Sequence, residues 1–478
     1  MSPFVPPHPP RHEGPLPILT LLRQCRRNLL AIWEEKAFFY RMMRTRLITR
    51  TTLICNAPDW VRDAFVANNA AIERKSPQMR HALKPLLGDG LFISDGPIWQ
   101  KRRKIVAPII HASRLSEFVP AMVEVAVEMR DRWAEVPEGR EINALTEMGQ
   151  LTAEIICRTI FGRALGHEHA HEIVDAFSDY QRRIGQTALG AMFGLPDWMP
   201  RFYSGAIRKS VDRITAVLDD IIESYRRRGG SADGAMIGHL IEARDPDTGE
   251  PLGNEAIRNE AAVIFMAGHE TTANTLAWAW YLLSQAPEVE ARLHEELDHV
   301  LGGRVPTLGD LPRLAYTRAV IDETLRLYPP VPFLAREAVR DVTLQRRRFK
   351  RGSLIMVVPW LLHRHKLLWD DPDAFVPERF LAGAERAIDK YAYVPFAMGP
   401  RVCAGMAFGL AESVLCLATL AQSFALRLRP EARVEPVCRL TLRPEGDGLP
   451  MTLHPRVPVT SPTAAAPVVQ GGCPFAHG

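Results

Sequence analysis

The sequence predicts a mainly α-helical fold with a minor β portion. Three observations lead there. Helical periodicity runs through most of the chain, strand-like runs are few and short, and 47% hydrophobic residues over 478 positions suffice to bury a large core. Apolar residues recur at three- and four-residue intervals in Glu117–Trp133, Glu147–Phe161, Ser204–Arg228, Glu255–Gln285, Glu288–Leu301, Leu314–Leu327 and Gly405–Phe424, and each is predicted as a helix. The longest carries the apolar runs Ala261–Gly268 and Leu276–Leu283 on either side of polar residues, the pattern of a buried helix rather than a bilayer span. Strands are expected at Leu47–Cys55, Val342–Leu344, Leu354–Val358 and Met451–His454.

Residues 1–18 are proline-rich and read as irregular, and 457–478 read as a low-complexity tail. Between them no linker or repeat interrupts the pattern, and the Gly-rich stretch 228–234 is short enough for a loop, so 19–456 are expected to form one domain. A formal net charge of +4 is too small over this length to indicate a nucleic-acid binder. The seven cysteines form an odd set with no Cys-x-x-Cys pair and no His-rich partner spacing, so neither a zinc site nor a disulfide framework is indicated and a reducing compartment is expected. The N-terminus lacks a basic region followed by a long apolar run, so the expectation is a cytoplasmic monomer with no integral membrane anchor.

The most informative segment is Phe396-Ala-Met-Gly-Pro-Arg-Val-Cys-Ala-Gly405. Its cysteine, Cys403, immediately precedes a predicted helix, where free backbone N–H groups and the positive end of the helix dipole favour a metal-binding thiolate. Gly399 and Gly405 permit tight turns and close approach of amides to the sulfur. Phe396 is placed to shield that sulfur and Arg401 to meet a carboxylate. Upstream, Glu323 and Arg326 stand at i and i+3 on one helix face and are followed by Pro377-Glu-Arg-Phe380. Ala267-Gly-His-Glu-Thr-Thr272 sets polar groups inside the long apolar helix, where they are costly unless compensated. Trp99 and Arg103 share a helix face at i and i+4.

These motifs, in this order, resemble those of the cytochrome P-450 family, whose haem-binding signature F-x-x-G-x-R-x-C-x-G is matched at every fixed position; the likeness runs from about Leu47 to His454. The resemblance implies a triangular-prism fold with a long central helix over haem b, and Cys403 as thiolate axial ligand to its iron. It implies that Trp99, Arg103, Arg336 and Arg401 hold the haem propionates, with Phe396 and Gly405 completing the cofactor site. Glu323, Arg326 and Arg379 become a buried network under the haem. Gly268 leaves room for dioxygen, the co-substrate, while Glu270 and Thr271 relay protons; Thr272 is structural, and His269 occupies a variable position with no metal role.

The function implied is a monooxygenase that inserts one atom of dioxygen into a C–H bond of a hydrophobic small molecule: a fatty acid, terpenoid, steroid or aromatic. Electrons are expected from a separate ferredoxin or flavodoxin with its NAD(P)H-dependent reductase, docking on a basic patch of Arg102, Arg103, Lys104, Arg364 and Lys366. By analogy with the family fold, a loop from Ser76 to Ile98 and the residues Phe193, Phe265, Met266, Ala267, Val331, Phe333 and Leu449 line the substrate cavity, with Arg44, Arg46 and Arg50 available at its entrance for a carboxylate. Two alternatives stay open: a peroxide-driven haem enzyme, which the joint presence of Glu270 and Thr271 disfavours, and a non-catalytic haem-thiolate sensor, hinted at only by Cys473-Pro474.

Overall fold

The computed structural model describes residues 3–457 except 48–49, 163–171, 178, 181–202, 228–234, 246, 385–386, 439 and 446–447. Its principal helices are α1 (Pro77–Leu87), α2 (Gly96–Ile109), α3 (Leu115–Ala134), α4 (Ala144–Phe161), α5 (Gly205–Arg227), α6 (Asn254–Gln285), α7 (Pro287–Leu301), α8 (Ala315–Leu327) and α9 (Met406–Ala421). Seven of these nine coincide closely with the expected helices, because their apolar stripes are continuous and their ends carry recognisable stops such as Pro287 at a first turn and Gly302 in the left-handed region after α7. Among the described residues no helix is long and apolar enough to cross a membrane.

Helix α6 is the axis of the molecule. It packs along α4 and also touches α5, α8 and α9, so it is buried on most of its circumference. The close approach to α4 depends on Gly268: a Cβ there would lie 2.6 Å from Ile156 Cδ1. Gly268 therefore admits the neighbouring helix, and it also lines the cavity described below. Helix α9, apolar on all sides, lies against α3 and α8 and carries the residues that follow the cysteine loop.

The strands form small sheets beside this helical body. They are β1 (Met42–Leu47), β2 (Arg50–Cys55), β3 (Arg74–Lys75), β4 (Glu141–Asn143), β5 (Leu334–Glu337), β6 (Val342–Leu344), β7 (Arg347–Phe349), β8 (Leu354–Val357), β9 (Phe424–Leu428), β10 (Pro436–Cys438), β11 (Leu442–Pro444) and β12 (Pro450–Pro455). The largest sheet has the order β1-β2-β8-β5-β3; β2 and β8 run parallel and the other pairs antiparallel. The expected strand 47–55 is the second arm of a hairpin, and β9 begins where the helix expected to reach Phe424 has already ended at Ala421. The expected loop from Ser76 to Ile98 contains α1, whose Ser76 side chain accepts from the Met79 N–H at 3.3 Å and whose first residue is proline, both ordinary start signals. The proline-rich N-terminus is irregular as expected but tied down: the Phe375 N–H donates to the Phe4 carbonyl, Tyr328 Oη donates to that of Pro7, and Arg11 pairs with Asp373.

Candidate active site

The segment ahead of α9 folds back on itself around Cys403. The Cys403 N–H donates to the Phe396 carbonyl at 2.8 Å, and the loop turns through Ala397 (φ 62°) and Gly399 (φ 66°). At Gly399 a side chain would run into the Phe65 carbonyl, so glycine is required by both space and dihedral. Cys403 opens into a cavity shared with α6. Burial pushes its thiol pKa up, while the Gly405 N–H, Arg103 and Lys75 act in the opposite direction and favour the thiolate.

One side of the cavity gathers cations. Arg336, on β5, is 2% exposed and stands directly opposite Lys75 on β3. Among the described residues neither is paired with a carboxylate, and like charges in direct cross-strand register repel. Arg401 lays its guanidinium 4.5 Å from the centre of the Trp99 ring and donates to the Ser94 carbonyl at 2.7 Å. The Nε atoms of Arg336 and Arg401 are buried without a hydrogen-bond partner. Burial lowers both pKa values, to about 9 and about 10, and those of Lys75 and Arg103 are lowered for the same reason. Four cations, two of them buried, converging beside a thiol fit a flat ligand that carries anionic groups on one edge, as haem does with its propionates. Lys75, which also lies 4.3 Å from the Phe92 ring centre, belongs to no motif in the sequence; its pairing with Arg336 was the missing signal.

Under the cysteine side, Glu323 and Arg326 are completely buried and joined by two hydrogen bonds of 2.6 and 2.7 Å. Arg326 also donates to the carbonyls of His363, Pro372 and Ala374, and the Val376 N–H donates to Glu323. Arg379 reaches Glu323 at 3.4 Å and donates to the Asp371 carbonyl. The three residues thus staple the 363–379 segment to α8, with Arg379 the half-buried member.

Across the cavity, α6 presents Val263, Ile264, Met266, Ala267, Glu270 and Thr271. Thr271 Oγ donates to the Ala267 carbonyl at 2.7 Å. Glu270 accepts from Thr441 Oγ at 2.6 Å, and burial raises its pKa against the opposing effects of Thr441 and Arg443. Thr272 faces the fully buried Glu412 on α9, whose carboxyl burial pushes well above the usual range. The buried His269 bonds the Gly149 backbone and lies in no group of residues able to hold a metal among those described.

The cytochrome P450 family profile matches residues 7–449. The chain belongs to the cytochrome P450 family. Over 84% of its length it is 31% identical to "Cyclooctatin synthase" of Streptomyces melanosporofaciens, covering 86% of that protein. It is 28% identical to "Pentalenene oxygenase" of Streptomyces avermitilis over 90% of this chain and 94% of that one. Among solved structures, the crystal structure of the cytochrome P450DA heme domain superposes with a TM-score of 0.75 at 27% identity, covering 87% of this chain and 90% of the other. The chain is accordingly a P450 monooxygenase, of a family that uses haem-thiolate iron and dioxygen.

The P450 cavity departs from the sequence expectation in several places. Phe265 is fully buried and points away from it, 4.4 Å from the Phe177 ring centre, because Phe265 and His269 lie one turn apart on the opposite face of α6 from Ile264, Ala267 and Thr271. Leu449 lies in the core, where its backbone bonds Ala144 and Asn143; Leu440 and Thr441, ahead of β11, line the cavity instead. Met266, Ala267, Val331 and Phe333 line it as expected, while Phe193 and Cys473-Pro474 fall outside the described residues.

The basic patch does not form one free surface. Arg102 is buried and pairs with Asp89 and Glu260, and Arg364 is buried between Asp373 and the Trp360 ring. Lys366 pairs with Glu35, Lys104 faces Asp247 at 3.4 Å, and Arg103 lines the cavity. Of the entrance arginines, Arg50 pairs with Glu337 at 3.6 Å and Arg44 lies over Phe349.

Proposed function

We propose that this P450 hydroxylates a neutral, largely hydrocarbon small molecule of the terpenoid class. The observation that carries this reading is the division of the cavity wall. Its cations (Lys75, Arg103, Arg336 and Arg401) are the groups that suit haem propionates, whereas Met79, Leu83, Ile110, Met236, Val263, Met266, Val331, Phe333 and Leu440 offer an apolar surface. A fatty acid would need a further cation for its carboxylate, and among the described residues no cation beyond these four lines the cavity. The relatives' printed names, a cyclooctat-9-en-7-ol 5-monooxygenase and a pentalenene oxygenase among them, point to the same substrate class. Apolar burial of about 25 cal/mol per Å² then supplies the binding energy without a charged anchor.

In this reading Cys403 would supply the thiolate that holds the haem iron, and Trp99, Arg103, Arg336, Arg401 and Lys75 would orient the haem, with Phe396 and Gly405 beside the cysteine. The haem, when bound, supplies the activation of dioxygen and the transfer of one oxygen atom to a C–H bond. Glu270 and Thr271 move protons toward the cavity: the carboxyl, kept protonatable by burial, is the donor, and the Thr271 hydroxyl, once released from the Ala267 carbonyl, hands the proton on. Electrons come from a ferredoxin or flavodoxin partner with its reductase, in the cytoplasm. The ferric spin-state change on titration tests the substrate class. A polycyclic alkene such as pentalenene is expected to shift the Soret band to the high-spin position, and a C12–C16 fatty acid is not. The reverse order refutes the reading.

A further inference from the structure

Glu270 is gripped from outside its own helix. Thr441, in the turn between β10 and β11, is 8% exposed, and its hydroxyl lies 2.6 Å from Glu270 Oε1. The same hydroxyl is met at 3.4 Å by the side-chain amide of Asn274, one turn further along α6. An amide NH₂ only donates, and a hydroxyl has a single hydrogen; with Asn274 occupying a lone pair, the Thr441 proton is directed at the carboxyl. The turn itself is pinned. The Leu442 N–H donates to the Pro330 carbonyl, and Asn28 bonds both the Pro436 carbonyl and the Cys438 N–H. Thr441 thus sits on a fixed support with a fixed donor direction.

We propose that Thr441 is a positioning residue for the proton-relay acid: by donating to Glu270 it fixes the carboxyl's orientation and sets the pH at which that carboxyl gains and loses its proton. The proposal rests on the reading of Glu270 as the relay acid. Burial raises the pKa of Glu270. The groups that oppose burial are the Thr441 hydroxyl and the charge of Arg443 on β11, while Cys438 on β10 also faces the carboxyl. A hydrogen bond donated to the ionised form favours that form, so Thr441 keeps the acid able to release its proton as well as hold it.

The test uses the haem-loaded protein. The protonated carboxyl of Glu270 is followed by infrared difference spectroscopy across pH, with the band assigned by its loss in Glu270→Gln. Removing the hydroxyl without changing shape, in Thr441→Val, is expected to raise the midpoint by about one pH unit, and Thr441→Ser is expected to restore it. Oxygen consumption without substrate, driven by a plant-type ferredoxin and its reductase, should show the same displacement of its pH profile in Thr441→Val, which a purely structural defect would not produce. If Glu270→Gln slows oxygen consumption but the Thr441→Val midpoint does not move, the role of Thr441 is overturned and the relay reading survives. If Glu270→Gln leaves oxygen consumption unchanged, the relay reading falls and takes this role with it.

Discussion

Replacing Arg326 by leucine should cost this protein its haem and much of its stability. All five N–H groups of the guanidinium are used: two on the Glu323 carboxylate at 2.6 and 2.7 Å, and three on the carbonyls of His363, Pro372 and Ala374 at 2.6–2.8 Å. Both side chains are fully buried, so removing the cation leaves a carboxylate in the interior whose remaining cationic contact is Arg379 at 3.4 Å. Breaking such a pair costs about 3–5 kcal/mol, and the stranded carbonyls add to it at about 1–3 kcal/mol for each that finds no water. Against a typical total of about 5–15 kcal/mol, the lower end of this range already removes a large fraction of the stability. The segment that these bonds hold, 363–379, would detach from α8 under the cysteine side. The assay is haem content per chain together with the urea midpoint of whatever folds. Arg326→Lys, with three donors and no planar fork, should fall between wild type and Arg326→Leu. A leucine variant that keeps full haem occupancy, with a midpoint shift worth less than about 1 kcal/mol, would refute the reasoning.

Other perturbations follow from the same geometry. Gly268→Ala drives a methyl against Ile156 and should destabilise the protein by about 1–3 kcal/mol; adding Ile156→Ala should recover most of the loss in a thermal melt. Thr271→Ala, with pentalenene or whichever terpenoid first gives a spin shift, should leave reductant consumption running while product falls several-fold; unchanged coupling would remove Thr271 from the relay. Lys75→Met and Arg336→Met should each speed haem transfer to apomyoglobin by about tenfold, since each removes a charge-assisted contact worth about 1.4 kcal/mol or more. Burial raises Glu260 to a pKa of about 7, against the opposing effects of the Leu91 N–H and Arg102. The folded state then binds the extra proton between the ordinary carboxylate range and about pH 7, so this group's contribution to stability falls as pH rises through that window. Glu260→Gln should therefore gain stability relative to wild type between pH 5 and pH 8 in denaturant titrations, and a constant difference would contradict the assignment.

Much of this was legible in the sequence, and the failures have a common cause. Periodicity locates α3 to α9 because each buries one continuous stripe, and the Cys403 and Glu323–Arg326 motifs hold their meaning because their partners are close in the chain or named by a second motif. What one-dimensional spacing does not give is which face of an element looks where. Phe265 reads as a pocket residue until the helix places it on the side of His269 and Phe177. Arg102 and Arg364 read as surface charge until Glu260, from distant α6, and Asp373, from the segment just beyond, appear beside them. Leu449 lies nine and eight positions from the residues that do the lining, Leu440 and Thr441, since the register of a short hairpin is set by long-range bonds such as that from the Leu442 N–H to Pro330. Lys75 became visible only as the cross-strand neighbour of Arg336.

The central claim is thiolate ligation by Cys403 in a monooxygenase cavity, and the most direct measurement is the absorption spectrum of the reduced, carbon-monoxide-treated protein for wild type and Cys403→Ser. A strongly red-shifted Soret band is expected in the wild type and not in the serine variant. A wild-type band at the unshifted position, or a red-shifted band that survives Cys403→Ser, would contradict it.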